Sequence, residues 1–209
     1  FLVGSQGVVV IDTTETTQAA TNILKEFRQV CDLPVTTIIY THSHRDHISG
    51  ATVFAEGREV EVIAADNFSS DLVGVDKSRP APNAALMART KRHFGISLTH
   101  DERVNIGLGP GDRPMQGLGA GYLEPTLRIF QTTHIKREGF DLELAKAPGE
   151  TPDHIVVWWA GERVLFSGDN FYHAFPNLYA IRGTPYRDFA VWADSLQKMS
   201  KLDVEYLAP

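Results

Sequence analysis

The sequence predicts an α/β protein in which two sheets are flanked by helices, and three observations carry that reading. Residues 1–64 alternate strand and helix signals in the order β-α-β-α-β. From Thr126 onward the pattern changes to a succession of short strands. An amphipathic helix and a last strand then close the chain. A mixed first half followed by a strand-rich second half fits two sheets better than one doubly wound sheet.

Each element has its own signal. Phe1-Leu2-Val3 and Val8-Val9-Val10-Ile11 read as strands joined by a hairpin turn at Gly4–Gly7. Thr16–Val30 carries Ala19, Ile23, Leu24 and Phe27 at helical spacing, with Thr and Glu at its start. Val35–Tyr40, after Pro34, has the β-branched richness of a buried strand. Ile48, Ala51 and Val53-Phe54 suggest a short helix, and Val60–Ala64 another strand. Residues 66–126 read as an insertion, with a helix over Asn83–Phe94 and a glycine-rich loop over Gly107–Gly121 that covers the site. That loop lacks the Gly-Lys-Ser/Thr of a phosphate cradle. His93 and His100, inside the insertion, take surface or core roles. Strands follow at Leu127–Phe130, Leu142–Ala145, Ile155–Trp159 and Val164–Phe166, with a turn at Gly161-Glu162-Arg163. A helix over Tyr186–Met199 presents Phe189, Trp192, Leu196 and Met199 on one face, and Val204–Leu207 is the final strand.

A chain of 209 residues buries a substantial core. Its formal charge of −6 argues against nucleic acid as a partner, because phosphate binding draws on a surplus of Lys and Arg. Cys31 is the only cysteine, so neither an internal disulfide nor a thiolate zinc site is available. That usage leaves cytoplasm and periplasm both open. No stretch is long and apolar enough to span a membrane. The chain opens as though inside a strand and stops at a strand end, so it reads as a piece of a longer protein.

Three of the eight histidines fall within Thr41-His42-Ser43-His44-Arg45-Asp46-His47, on the loop leaving the third strand. Ligands commonly bind at that end of a strand in α/β proteins. Alternate residues of an extended loop point the same way, so His42 and His44 can converge on one cation. Asp46 and His47 suit a second. Imidazole and carboxylate are the donors Zn²⁺ takes where it stays open to water. A lone histidine would read as a hydrogen-bonded core residue; this grouping reads as a metal site.

The loop resembles the signature of the metallo-β-lactamase superfamily, αββα-sandwich hydrolases with one or two metals. The resemblance implies one catalytic domain over residues 1–209 with two zinc ions. In that family a third ligand comes from a Gly-His-Thr-Pro-like turn, which here reads Pro148-Gly149-Glu150-Thr151-Pro152-Asp153-His154. Glu150 replaces the usual histidine, and His154 matches a position that supports from within. Asp169, in Phe166-Ser167-Gly168-Asp169-Asn170, matches a bridging carboxylate. The expected sets are His42, His44 and Glu150 for one ion, and Asp46 and His47 for the other, with Asp169 bridging. A further histidine is expected beyond Pro209. Asp12 caps the turn after its strand and, by the resemblance, orients the histidine loop.

Phe171–Asp188, with Asn177-Leu178-Tyr179, Arg182-Gly183 and Arg187-Asp188, resembles the corresponding segment of bacterial alkyl sulfatases. Those enzymes also use glutamate at the Glu150 position, but glutamate rather than aspartate at the bridge. The narrower resemblance implies hydrolysis of an anionic alkyl sulfate, with Asp46 and Asp169 catalytic and Arg182 holding the sulfate. It implies a homodimer as well. His173 takes a packing role. The alternatives are a hydrolase of carboxylic esters, lactones or β-lactams, and a domain that keeps metal without turnover.

Overall fold

Alternation of apolar side chains along the strands stacks the layers. The computed structural model describes residues 1–69, 84–99, 101–103, 114, 116–178 and 186–209, of which 84–87 by their backbone only. The first sheet has the order β1 (Leu2–Val3), β2 (Val8–Ile11), β3 (Val35–Ile39), β4 (Glu61–Ala65), β5 (Leu127–Ile129). Its first pair is antiparallel and the rest are parallel. The second sheet comprises β6 (Thr133–Arg137), β7 (Phe140–Lys146), β8 (Ile155–Trp159), β9 (Val164–Phe166) and β10 (Tyr206–Ala208), neighbours in that order. It is antiparallel except for the parallel β9–β10 pair.

The sheets face each other across Val9, Ile39, Ile63 and Ile129 on one side and Ile135, Leu142, Leu144, Ile155 and Val157 on the other. Val8, Val10, Ile38 and Val62 bury the opposite face of the first sheet against α1 (Thr17–Phe27), α2 (Arg45–Ile48) and α3 (Ala51–Ala55). Val156, Trp158 and Leu165 bury the outer face of the second against Met199 and Leu196 of α5 (Phe189–Met199). The central strands are covered on both faces, which is why they read as unbroken apolar runs. Each fully buried Ile or Val there is worth about 1.5–3 kcal/mol against exposure. The result is the expected αββα sandwich.

Several expectations shift. Strand β6 carried no signal because Ile135 is its one buried side chain at a sheet edge. Helix α1 ends at Phe27 and turns Leu24 and Phe27 to the core as expected, but it buries Ala20 and leaves Ile23 42% exposed. Thr16 caps it, accepting from Ala19 N at 3.0 Å. Strand β5 ends at Ile129, one residue short of the expected Phe130, and Phe189 is exposed, off the buried face of its helix. Helix α5 starts three residues later than Tyr186, because the Asp188 side chain accepts from Ala190 N and Val191 N.

In the insertion, α4 spans Ala84–His93, and the expected start at Asn83 lies outside the described residues. So do His100, Gly107–Gly111, Tyr179–Pro185 and, among them, Arg182. The described part of the glycine-rich stretch bonds to the helical layer. Thr17 N donates to Gly117 O at 3.3 Å, Thr52 N to Gly121 O at 2.8 Å, and Gly121 N to Ser49 O at 2.9 Å. No helix among the described residues is long and apolar enough to cross a membrane.

Candidate metal centre

The histidine loop leaves β3 at one end of the sandwich, and two unusual residues hold it. Asp12 (φ 57°) and Thr14 (φ 64°) both take left-handed backbone just after β2, a conformation few non-glycine residues adopt. The sharp turn this makes lets Thr13 N and Oγ1 donate to His47 O at 2.6 and 3.1 Å. It also lets Thr14 O accept from Ser49 N at 3.0 Å. The Asp12 carboxylate accepts from Thr41 N at 2.8 Å and Thr41 Oγ1 at 2.7 Å, and lies 2.7 Å from His47 Nδ1. Asp12 thus fastens both ends of the loop, as an orienting residue should.

The opposite wall consists of the turn between β7 and β8 and the short 3-10 turn Gly168–Asn170 after β9. Helix α5 pins both: Trp192 Nε1 donates to Asn170 O at 3.1 Å, and Ser195 Oγ to Pro148 O at 2.7 Å. Asn170 Oδ1 in turn accepts from Glu150 N at 3.1 Å. Two glycines make this approach feasible. A Cβ on Gly149 would lie 2.1 Å from Asn170 Oδ1; one on Gly168 (φ 49°) would lie 2.7 Å from Thr41 Oγ1 and 2.9 Å from His154 Nε2.

Folding brings the sequence-selected residues into two groups. Donor atoms of His42, His44, Glu150 and Asp169 all lie within 4.8 Å of one another, and so do those of Asp46, His47 and Asp169. His42 Nε2 is 3.1 Å from His44 Nδ1, and His47 Nε2 is 3.4 Å from Asp169 Oδ1 and 3.8 Å from Asp46 Oδ2. The His154 ring stacks under His42 with centroids 4.7 Å apart. Beside the second group lies a cleft of about 340 Å³ that includes Asp46, His47, Phe166, Ala208 and Pro209 in its walls.

The donor set fits divalent metal on an observation independent of the motif. Among the described residues, the buried side-chain polar atoms with no hydrogen-bond partner are Glu150 Oε2, Thr151 Oγ1, both Asp153 carboxylate oxygens and both His154 ring nitrogens. All belong to the Glu150 turn. A buried carboxylate oxygen left without a partner is costly, and Glu150 Oε2 is the one that belongs to a donor group. A cation supplies what it lacks.

Electrostatics separates the imidazoles. Burial, then the neighbouring His47, His154 and His44, pushes His42 far below the usual imidazole range. Burial likewise takes His154 down to about 3. Burial works against the His47 cation too, yet Asp12, Asp169 and Asp46 together outweigh it and raise His47 well above that range. Glu150 is pushed up to about 9 by burial and by Asp169, with Arg187 opposing. Burial opposes the Asp169 anion, but the neighbouring His47 and Glu150 hold it well below the usual carboxylate range.

One residue of this network had no assigned role in the sequence reading. Arg187 Nη1 sits 2.6 Å from Glu150 Oε1, with both side chains almost wholly buried, and also donates to Asn177 O. Its signal was faint: an arginine directly before the helix-capping Asp188. His173 is exposed instead of packed, and His93 is exposed as well.

The comparisons with known proteins bear on the family and the fold. The model of the metallo-beta-lactamase superfamily matches residues 1–209. A linear primary-alkylsulfatase of Pseudomonas sp. is 29% identical over 209 residues, covering 98% of this chain and 39% of that protein. An alkyl/aryl-sulfatase of Saccharomyces cerevisiae is 31% identical over 198 residues, covering 91% of this chain and 30% of that protein. The solved structure of an inverting sec-alkylsulfatase from Pseudomonas sp. superposes with TM-score 0.78 at 23% identity, over 99% of this chain and 34% of that one. The chain therefore spans well under half the length of these relatives.

Proposed function

The chain belongs to the metallo-beta-lactamase superfamily, and on that premise we propose that it is the metal-binding catalytic part of a hydrolase that cleaves alkyl sulfate esters. The observation that carries the reading is the pair of donor groups sharing Asp169, one of which includes Glu150, a residue whose buried Oε2 has no hydrogen-bond partner. The alkylsulfatase relatives supply the substrate class. Zinc fits the nitrogen and oxygen donors. His42, His44 and Glu150 would hold one ion and Asp46 and His47 the other, with Asp169 belonging to both donor groups.

Ions held there would supply a water of lowered pKa and positive charge beside the departing oxygen. The protein's own groups do the rest. Asp46 is exposed beside the cleft and orients the attacking water or accepts its proton. Asp12 fixes the histidine loop, and His154 supports His42 from beneath. Arg182, outside the described residues, offers the planar fork that a sulfate oxyanion needs. The substrate is thus a small anionic alkyl ester.

The test is sulfate release from dodecyl sulfate by the full-length protein loaded with zinc, alongside its metal content. Release that disappears on chelation and returns with zinc supports the reading, and Arg182→Ala should raise KM at least tenfold. Aspartate at position 169, where the alkyl sulfatases carry glutamate, favours one second reading: a hydrolase of carboxylic esters, lactones or β-lactams. Zinc-loaded protein inert on sulfate esters yet active on that panel would establish it. Metal retained without turnover on any ester would leave a metal-keeping binding domain.

A further inference from the structure

The hydroxyl of Thr41 lies between a carboxylate and an imidazole: Oγ1 is 2.7 Å from Asp12 Oδ2 and 2.9 Å from His42 Nδ1. Thr41 is 1% exposed and His42 is fully buried, so no bulk water competes for these atoms. A hydroxyl has one proton to give, and an ionised carboxylate can only accept. The Thr41 proton is therefore committed to Asp12. The hydroxyl oxygen is left as acceptor, and among the described residues the partner of His42 Nδ1 is that oxygen. A short contact there requires Nδ1 to carry the proton, which leaves Nε2 with its lone pair.

The same carboxylate oxygen meets His47 Nδ1 at 2.7 Å, so it polarises two imidazoles at once, one directly and one through Thr41. We infer that Thr41 is a positioning residue: its hydroxyl hands on the acceptor character of Asp12 and holds His42 as the Nδ1–H tautomer, with the Nε2 lone pair turned towards His44 Nδ1. The 3.1 Å between those two nitrogens is bridged in the metal-free protein by a proton on His44. Its loss would expose two lone pairs facing one point. Because Thr41 N also donates to Asp12 Oδ1 at 2.8 Å, the backbone link survives removal of the hydroxyl. Thr41→Val then changes the relay while leaving the loop tethered.

The consequence for metal affinity rests on the reading proposed above; the tautomer itself does not. The experiment is long-range proton–nitrogen correlation NMR on full-length, metal-free protein labelled with ¹⁵N-histidine, in wild type, Thr41→Val and Thr41→Ser. His42 in the wild type should show the Nδ1–H pattern. In Thr41→Val it should move to Nε2–H, now donating to His44 Nδ1, and Thr41→Ser should restore the wild-type pattern. Zinc affinity by chelator competition should fall roughly 10- to 100-fold in Thr41→Val, the usual cost of losing an outer partner of a metal ligand, and recover in Thr41→Ser. A wild-type His42 carrying its proton on Nε2 overturns the inference without recourse to any variant, as does a folded Thr41→Val that keeps Nδ1–H. If the tautomers follow the inference but the wild type retains no zinc, the metal reading fails and the relay stands.

Discussion

The two walls of the site are built on opposite principles. On the first-sheet side, the buried polar atoms of Asp12, Thr41, His42 and His47 all find partners within the protein. On the second-sheet side, the turn 150–154 contains every unpartnered buried side-chain polar atom among the described residues. One wall is complete as hydrogen-bonded structure. The other is held in place from behind by α5 and Asn170 while its front is left unsatisfied. The lesson is that rigidity here comes from the histidine loop, whereas the Glu150 turn depends on what it binds.

Asp169→Asn gives the largest test, because that carboxylate belongs to both donor groups. It should reduce metal content below half and turnover at least about 1000-fold, or about 4 kcal/mol of barrier, read by elemental analysis and sulfate release. A variant that kept both ions would break the picture of two groups sharing one carboxylate.

Arg187→Met should come next. It removes the donor to the buried Glu150 Oε1, and a buried acceptor left unsatisfied costs about 1–3 kcal/mol. Denaturant midpoints of the metal-free protein should show the loss, and a double change with Glu150→Leu should recover much of it. Asp12→Asn tests the other wall. Zinc affinity should drop between about 10- and 100-fold, with the larger share of the change in binding and the smaller in folding. If Asp12→Asn unfolded the chain and Arg187→Met did nothing, the contrast between walls would have to be reversed.

The smallest effect is in the pH dependence of the metal-free melting temperature. Glu150, pushed up to about 9 by burial, holds its proton more tightly when folded, so its contribution fades as pH rises from the carboxylate range through about 9. His47, raised well above its ordinary range against the cost of burial, weakens stability in the same direction. His154, lowered to about 3 by burial, acts oppositely: its contribution is present above the imidazole range and is lost as pH falls towards 3. The melting temperature should therefore decline on both sides of an optimum in mildly acidic solution. Saturating zinc should flatten the alkaline side, where Glu150 becomes a ligand. An alkaline limb unchanged by zinc would argue that Glu150 binds no metal.

Local chemistry explains how much of this was legible in the sequence. The histidine loop is contiguous, so residue spacing along a strand exit was enough to select His42, His44, Asp46 and His47. Glu150 and Asp169 were reachable only through the family resemblance of their turns, one before β8 and one after β9; alone, each residue type reads as an ordinary turn residue. The layered α/β architecture followed from the apolar runs of the strands. The polar edge strand β6 left no such trace, and α1 buries Ala20 where Ala19 and Ile23 were expected beside Leu24 and Phe27.

By itself, then, the sequence determined the donor types, their order along the chain and the layers that carry them, because those depend on neighbours within a few residues. Only the tertiary structure decided that Arg187 reaches across to Glu150, that Asp12 and Thr41 wire the imidazoles, and that the unsatisfied atoms gather in one turn. Those facts depend on distances between segments 20 to 40 residues apart or more, and on which atoms burial cuts off from water. Spacing along a chain does not encode either quantity.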